Sequence, residues 1–265
     1  MRLARATLTL ACAACACLAM AAPTTAHEMV AIDEAGQMVR FSSKNPRAIE
    51  KVNISGTDAR IVGIDMRPAD QTLYGVSRNG TIYRIDSGNG RAMMMSRMSA
   101  ALTGSVVMVD FNPVADRMRI VTSDGRNLRV NVETGETTED GKLSYNDGSA
   151  SGGITGGGYS NSVRGATTTE LWQIDGGNQA LALQDPPNAG TLNKRSAIAL
   201  TGGTKDLHGG DVVTDASGRS EAYVVRGSRL FKIDLATGQI VNVGQVGAVE
   251  NIDLVDVAVV RLEDR

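Results

Sequence analysis

The sequence predicts an all-β fold, a five-bladed β-propeller closed by its C-terminal strand. A hairpin glycine recurs at Gly36, Gly80, Gly125, Gly177 and Gly227, in steps of 44, 45, 52 and 50 residues. Each copy carries several short apolar runs separated by turn residues, and a period of this size with several strands per unit is the mark of propeller blades. A surplus apolar strand, residues 252–260, stands at the C-terminus, and the first hairpin lacks a strand before it. Placing the surplus strand in the N-terminal blade closes the ring and removes an open edge.

The clearest unit is residues 63–86, GIDMRPADQTLYGVSRNGTIYRID. Leu73 to Val76 and Thr81 to Ile85 are rich in β-branched and aromatic residues. Asn79-Gly80 between them is a hairpin signal, because both residues tolerate φ > 0. Arg67-Pro68-Ala69-Asp70 reads as the turn before them. The strand after the hairpin returns as Met38 to Phe41, Ile82 to Ile85, Leu128 to Val130 and Leu230 to Ile233. It ends in Ser42, Asp86, Asn131 or Asp234. Turns ending in Gly90, Gly135 and Gly238 follow the last three. First strands precede four hairpins at 61–66, 106–111, 156–160 and 209–213.

Residues 1–26 read as a signal peptide. Arg2 and Arg5 precede an apolar run at residues 10–22, too short to span a bilayer comfortably, and small residues precede His27. Residues 27–265 then form a single domain, expected in the periplasm or secreted. Cys12, Cys15 and Cys17 all fall in the leader, so the mature chain can make no disulfide and no thiolate site. Loss of Arg2 and Arg5 takes the net charge from −2 to −4, which argues against nucleic-acid or anionic-membrane partners. No later segment is long and apolar enough to cross a membrane. The expectation is a monomer whose partner is an unidentified envelope protein or small ligand.

Taken in order, blade 1 draws on residues 29–32, 38–41 and 49–54. Blade 2 ends in a strand containing Met93-Met94-Met95. Thioethers suit copper(I), but adaptable packing is the preferred reading, because consecutive strand residues face opposite sides. Residues 145–158, YNDGSASGGITGGG, are too poor in flanking elements for a phosphate cradle and read as a flexible loop entering a strand. Blade 4 carries Trp172 and the Asp185-Pro186-Pro187-Asn188-Ala189-Gly190 turn, where Pro187 is a candidate cis residue.

The phrases GIDMRPADQTLYGV, VDFNPVADRMRIVTSDGRNLRVN, GYSNSVRGATTTELWQID and LALQDPPNAGTLN occur in order. In them the chain resembles the bacterial exported family called domain of unknown function 4394, from about residue 29 to 260. The resemblance implies a repeated β architecture and an envelope or extracellular setting. It brings no established activity and no assigned catalytic residues. His27-Glu28 and His208-Gly209-Gly210-Asp211 depart from the family's apolar lead-ins.

The first strands carry the candidate site. Asp65, Asp110, Asp211 and Asp256 align, with Tyr159 in the fourth blade. First strands line a propeller's channel, so these five side chains form a candidate binding site. Converging carboxylates could hold a hard cation such as calcium, or act as the acid and base of a carbohydrate hydrolase. The preferred reading is structural: each aspartate satisfies backbone N–H groups of its own or a neighbouring blade. No catalytic residue is assigned, and a non-enzymatic binding or scaffold module is favoured. Arg40, Arg84, Arg129 and Lys232 also repeat in register and suggest pairing between blades. His208 has no G-x-S-x-G partner. His27, as a free N-terminus, could chelate copper with His208, but an exposed terminal histidine is preferred. An aromatic content of 3% counts against a lectin.

Overall fold

The computed structural model describes residues 26–248 and 252–262. Its strands form five sheets around one axis, each built on four antiparallel strands and counted as a blade outward from the axis. Blade 1 is Leu254–Leu262, His27–Asp33, Gln37–Ser42 and Asn45–Asn53. Blade 2 is Ile61–Arg67, Thr72–Ser77, Thr81–Ile85 and Ala92–Arg97. Blade 3 is Val106–Asn112, Arg117–Thr122, Asn127–Val130 and Thr137–Glu139. Blade 4 is Ile154–Tyr159, Leu171–Asp175, Ala180–Gln184 and Thr191–Ala197. Blade 5 is His208–Thr214, Ser220–Arg226, Arg229–Asp234 and Ile240–Gln245. The predicted closure is present: His27–Asp33 pairs antiparallel with Leu254–Leu262. The predicted leader lies outside the described residues apart from Ala26.

Alternation explains how the blades stack. Successive strand residues point to opposite faces, and both faces of every blade meet another blade. Met29 and Ala31 pack into the junction with blade 5, beside Tyr223, Val225 and Leu230. Val30 and Ile32, from the same strand, pack into the junction with blade 2, beside Ile64, Leu73 and Tyr83. The other three junctions hold equivalent apolar clusters. Two-sided burial is why the inner strands read as continuous apolar runs.

The turns between third and fourth strands follow the predicted grammar. Asp86 Oδ1 accepts the N–H groups of Gly88 and Asn89, and Asp234 Oδ1 those of Ala236 and Thr237. The closing glycine of this turn also docks the blade. Gly135 has φ 78°, and a Cβ there would strike the carbonyl of Arg97 on the outer strand of blade 2. Gly90 meets the carbonyl of Asn53 of blade 1 in the same way. Their own carbonyls accept N–H groups of Ser99 and Ser55 from the preceding blade. The repeated glycine thus serves both the turn and the packing of one blade on the next.

The structure corrects three sequence expectations. The strand that the glycine-rich stretch enters begins at Ile154, two residues before the predicted Gly156, and a short strand in the part read as loop, Ser144–Tyr145, adds in parallel to the outer edge of blade 4. Glycine is required there because blades 4 and 5 approach closely: a Cβ on Gly156 would strike the carbonyl of Gly209. The cis peptide bond is Asp185–Pro186, one residue before the predicted position. Arg40, Arg129 and Lys232 pair within their own blades, with Glu50, Asp140 and Glu221, because the partner lies on the adjacent strand of the same sheet or directly after it.

Candidate functional site

The first strands bring four aspartates to the axis, each almost wholly buried: Asp65 4% exposed, Asp110 0%, Asp211 6% and Asp256 2%. Each spends a carboxylate oxygen on the next blade. Asp65 accepts the N–H of Phe111 in blade 3 (2.7 Å), and Asp110 that of Tyr159 in blade 4 (3.0 Å). Asp211 accepts from Val259 of blade 1 (2.7 Å), and Asp256 from Ile64 of blade 2 (2.9 Å). The preferred structural role is therefore present, specifically as blade-to-blade ties. Buried N–H groups left without a partner would cost about 1–3 kcal/mol each.

The register revises two of the five alignments. Asp65, Asp110 and Asp211 lie opposite Tyr74, Arg119 and Tyr223, which are counterparts in their second strands. In blade 4 the residue opposite the counterpart, Trp172, is Gly158, and Tyr159 sits one place further on. In blade 1 the hairpin bond from Gly36 N–H to the Asp33 carbonyl matches that from Gly80 to Ser77. Val30 is then the counterpart of Tyr74, and it faces Ala258. Asp256 sits two residues earlier on the same strand face, level with Gly63. Its bond to Ile64 keeps the rule that each aspartate ties to the residue after its neighbour's equivalent position. The junction from blade 4 to blade 5 has no carboxylate tie of this kind. Gly158 stands there, and a Cβ on it would lie 2.6 Å from Asp110 Oδ2.

Tyr159 takes a different part. Its ring is buried, and its hydroxyl accepts from Arg119 Nε (3.0 Å). Arg119, 1% exposed, also donates to Asp140 (2.8 Å), Asn127 (2.5 Å) and Asn188 (2.9 Å), knitting blade 3 to blade 4.

Asp65, Asp110 and Asp211 converge most closely. One carboxylate oxygen from each lies within 4.8 Å of the others. Asp110 Oδ2 is buried with no hydrogen-bond partner among the described residues. Above the group opens a depression of about 580 Å³. Asp65 and Asp211 form part of its floor. Gln71, Ser162, Arg164 and Thr214 contribute polar groups from the connections after the first strands and their ends. Sequence reasoning missed this rim, since its residues come from loops with no repeat in them.

Burial dominates the electrostatics. Loss of solvent pushes the Asp65 carboxyl well above the usual carboxylate range, and the neighbouring Asp211 charge adds to the rise. Asp110 is raised by burial first and by the Asp65 and Asp211 charges next. Burial takes Asp211 to about 6 and Asp256 to about 7, against the opposing pull of their backbone N–H donors. A carboxyl raised in the folded state stabilises the fold fully below its unfolded value near 4, and loses that contribution as pH rises through the folded value. In chelator, the thermal midpoint is therefore expected to fall between about pH 5 and pH 8. Asp256→Asn should flatten the upper part of that fall. A midpoint that holds level or climbs over this window would contradict the assignment. Below about pH 4 carboxylates of lowered pKa take over. Asp58 is one: donors Thr81, Ser77 and Tyr83 outweigh its desolvation and hold it at about 2.

The histidines do not meet. His27 is buried in blade 1, with its N–H on Ser43 Oγ (2.9 Å) and its ring edge-on to Tyr223 (5.6 Å). This replaces the expected exposed terminal histidine. His208 opens the first strand of blade 5 and lines a second depression of about 290 Å³ with Glu34, Arg60 and Arg78 at the other mouth of the axis. His27 pairs with Leu262, at the far end of a first strand, so a joint copper chelate does not form. Met93 and Met94 are exposed, and Met95 packs toward the core.

A family model described as a domain of unknown function (DUF4394) matches residues 37–258. The chain belongs to this family. No curated protein matches it significantly. Among solved structures it is similar to a structural-genomics protein of unknown function from Bacteroides thetaiotaomicron, at 17% identity and a TM-score of 0.50. That match covers 89% of this chain and 65% of the other, so the chain spans somewhat under two thirds of the other's length. A protein of unknown function from Bacteroides caccae matches at 10% identity, covering 85% of this chain and 74% of its own, with a TM-score of 0.46. A catalytically inactive virginiamycin B lyase from Staphylococcus aureus, with quinupristin, matches at 11% identity, covering 83% of this chain and 70% of the other, with a TM-score of 0.43. These likenesses speak to the fold alone. No helix among the described residues is long and apolar enough to cross a membrane.

Proposed function

We propose that this DUF4394 protein is a non-enzymatic binding module of the bacterial envelope, exported by its leader, and that the 580 Å³ axial depression receives a small polar ligand. The observation that carries this reading is the use of the axial carboxylates. Each accepts a neighbouring blade's N–H and is at most 6% exposed. A hydrolase needs one carboxyl within reach of the leaving oxygen and another facing the sugar or a water. Side chains spent on holding blades together, in or below the floor of the depression, suit neither task. The rim offers neutral donors and acceptors and one exposed cation, Arg164.

The test is a thermal-shift screen of the chain from His27 onward, in chelator, against oligosaccharides and short peptides. A ligand that binds only the folded state raises the midpoint by mass action. The expected result is a shift that disappears in Arg164→Glu, whose own midpoint matches the parent. Turnover of an oligosaccharide, lost in Asp65→Asn, would replace this reading with the carbohydrate hydrolase.

A further inference from the structure

We propose that Asp65, Asp110 and Asp211 hold a divalent cation of calcium's size on the propeller axis, beneath the depression. The inference rests on the reading of that depression as a binding site and names what lies at its base.

Three observations converge. One oxygen from each carboxylate lies within 4.8 Å of the other two. Calcium accepts oxygen ligands at about 2.3–2.6 Å in flexible geometry, whereas magnesium demands a near-ideal octahedron at about 2.1 Å and gives up its waters reluctantly. Three carboxylates fixed by backbone bonds suit the more tolerant, larger ion. Next, Asp110 Oδ2 is an acceptor with no donor, on a side chain that is fully buried. Buried polar groups are rarely left unpaired, and a cation among the three carboxylates would satisfy it. Finally, the carboxylates are preorganised and reachable. Backbone N–H groups of Phe111 and Met66 on Asp65, of Tyr159 on Asp110 and of Val259 on Asp211 fix their orientation. Asp65 and Asp211 face the depression, which gives an ion its route in and leaves solvent to complete its shell. Supporting bonds of this kind hold ligands in place at metal sites.

Among the described residues no cationic side chain hydrogen-bonds to any of the three carboxylates, and an ion held among them would relieve their mutual repulsion.

The experiment uses chelator-stripped protein from His27 onward at pH about 7.5, titrated with calcium chloride or magnesium chloride and read by calorimetry and thermal shift. Calcium is expected to raise the midpoint, reversibly with chelator, and to bind at least tenfold more tightly than magnesium. Asp110→Asn is the informative variant, since its amide oxygen can still accept the Tyr159 N–H while one charge is removed. It should fold, with a metal-free midpoint at or above the parent's, and lose at least tenfold in calcium affinity. Asp211→Asn serves if that variant does not fold. Asp256→Asn, outside the triad, should keep the calcium response. No calcium response in the parent, an undiminished one in both triad variants, or a preference for magnesium overturns the inference. If calcium fails while an organic ligand still binds in chelator, the binding-module reading stands and only the ion falls. If calcium binds but no organic ligand does, the reverse holds.

Discussion

Truncation after Asp253 is expected to abolish cooperative folding. The lost strand, Leu254–Leu262, is the innermost strand of blade 1 and pairs along the whole of His27–Asp33. Leu254, Val257 and Ala258 are at most 1% exposed, and Val259 is 8% exposed. They fill two junctions, with blade 5 and with blade 2. Burying a valine or leucine side chain contributes about 1.5–3 kcal/mol, so the three larger residues alone account for much of a typical stability of about 5–15 kcal/mol. The polar losses act in the same direction. Asp256 vanishes, leaving the N–H groups of Ile64 and Gly210 without their acceptor, and Asp211 loses the Val259 N–H. The edge of His27–Asp33 would then be open to pairing with another chain. Far-UV dichroism on heating, with size-exclusion chromatography, checks this. A truncated chain that stays monomeric and melts cooperatively near the parent's midpoint would refute the role given to closure.

Arg119→Ala is expected to be the most damaging single substitution of a charged residue. Its guanidinium is 1% exposed and donates to four side chains from blades 3 and 4: Tyr159, Asn127, Asp140 and Asn188. Asp140, 5% exposed at its side chain, keeps Arg129, but the two asparagines and the tyrosine lose a donor in a buried place. Breaking a buried, hydrogen-bonded charge pair from one side costs about 3–5 kcal/mol. In a protein of this size each kcal/mol moves the midpoint by about 2–4 °C, so a fall of roughly 6–20 °C is expected. Arg119→Lys should recover only part of it, because an ammonium lacks the planar fork that reaches four acceptors at once. Arg40→Ala removes an exposed pair with Glu50, of side chains 37% and 61% exposed, and should cost no more than about 1 kcal/mol. Equal effects of Arg119→Ala and Arg40→Ala in thermal melts would show that burial does not set the difference.

These two cases mark where sequence reasoning reached and where it stopped. Closure was legible because an unpaired strand at one end and a missing strand at the other are countable along the chain. Arg119 was not. It lies between Met118 and Ile120 on a strand, and its partners stand 8 to 69 residues away in two blades. Nothing local distinguishes it from an arginine facing water. The repeating Arg40, Arg129 and Lys232 were visible for the opposite reason, that they recur, yet their partners proved to be sheet neighbours.

The axial aspartates fall between these extremes. Their recurrence identified them, and the expectation of backbone partners was sound. Spacing could not place Gly158 rather than Tyr159 opposite Trp172, nor Asp256 level with Gly63. A step from one blade to the next adds loop length to strand register, and the shift between Ile154 and Gly156 adds another residue of ambiguity.

Period, hairpin chemistry and a surplus terminal strand are local or countable properties, and they settle the blade number, the turns and the ring. The convergence of Asp65, Asp110 and Asp211, the lone oxygen of Asp110, and the depression above them arise only when five strands from distant parts of the chain meet at one axis. Burial there alters the chemistry of groups that are ordinary aspartates in the sequence: desolvation and mutual repulsion raise their pKa values, and neither exists until the blades have closed.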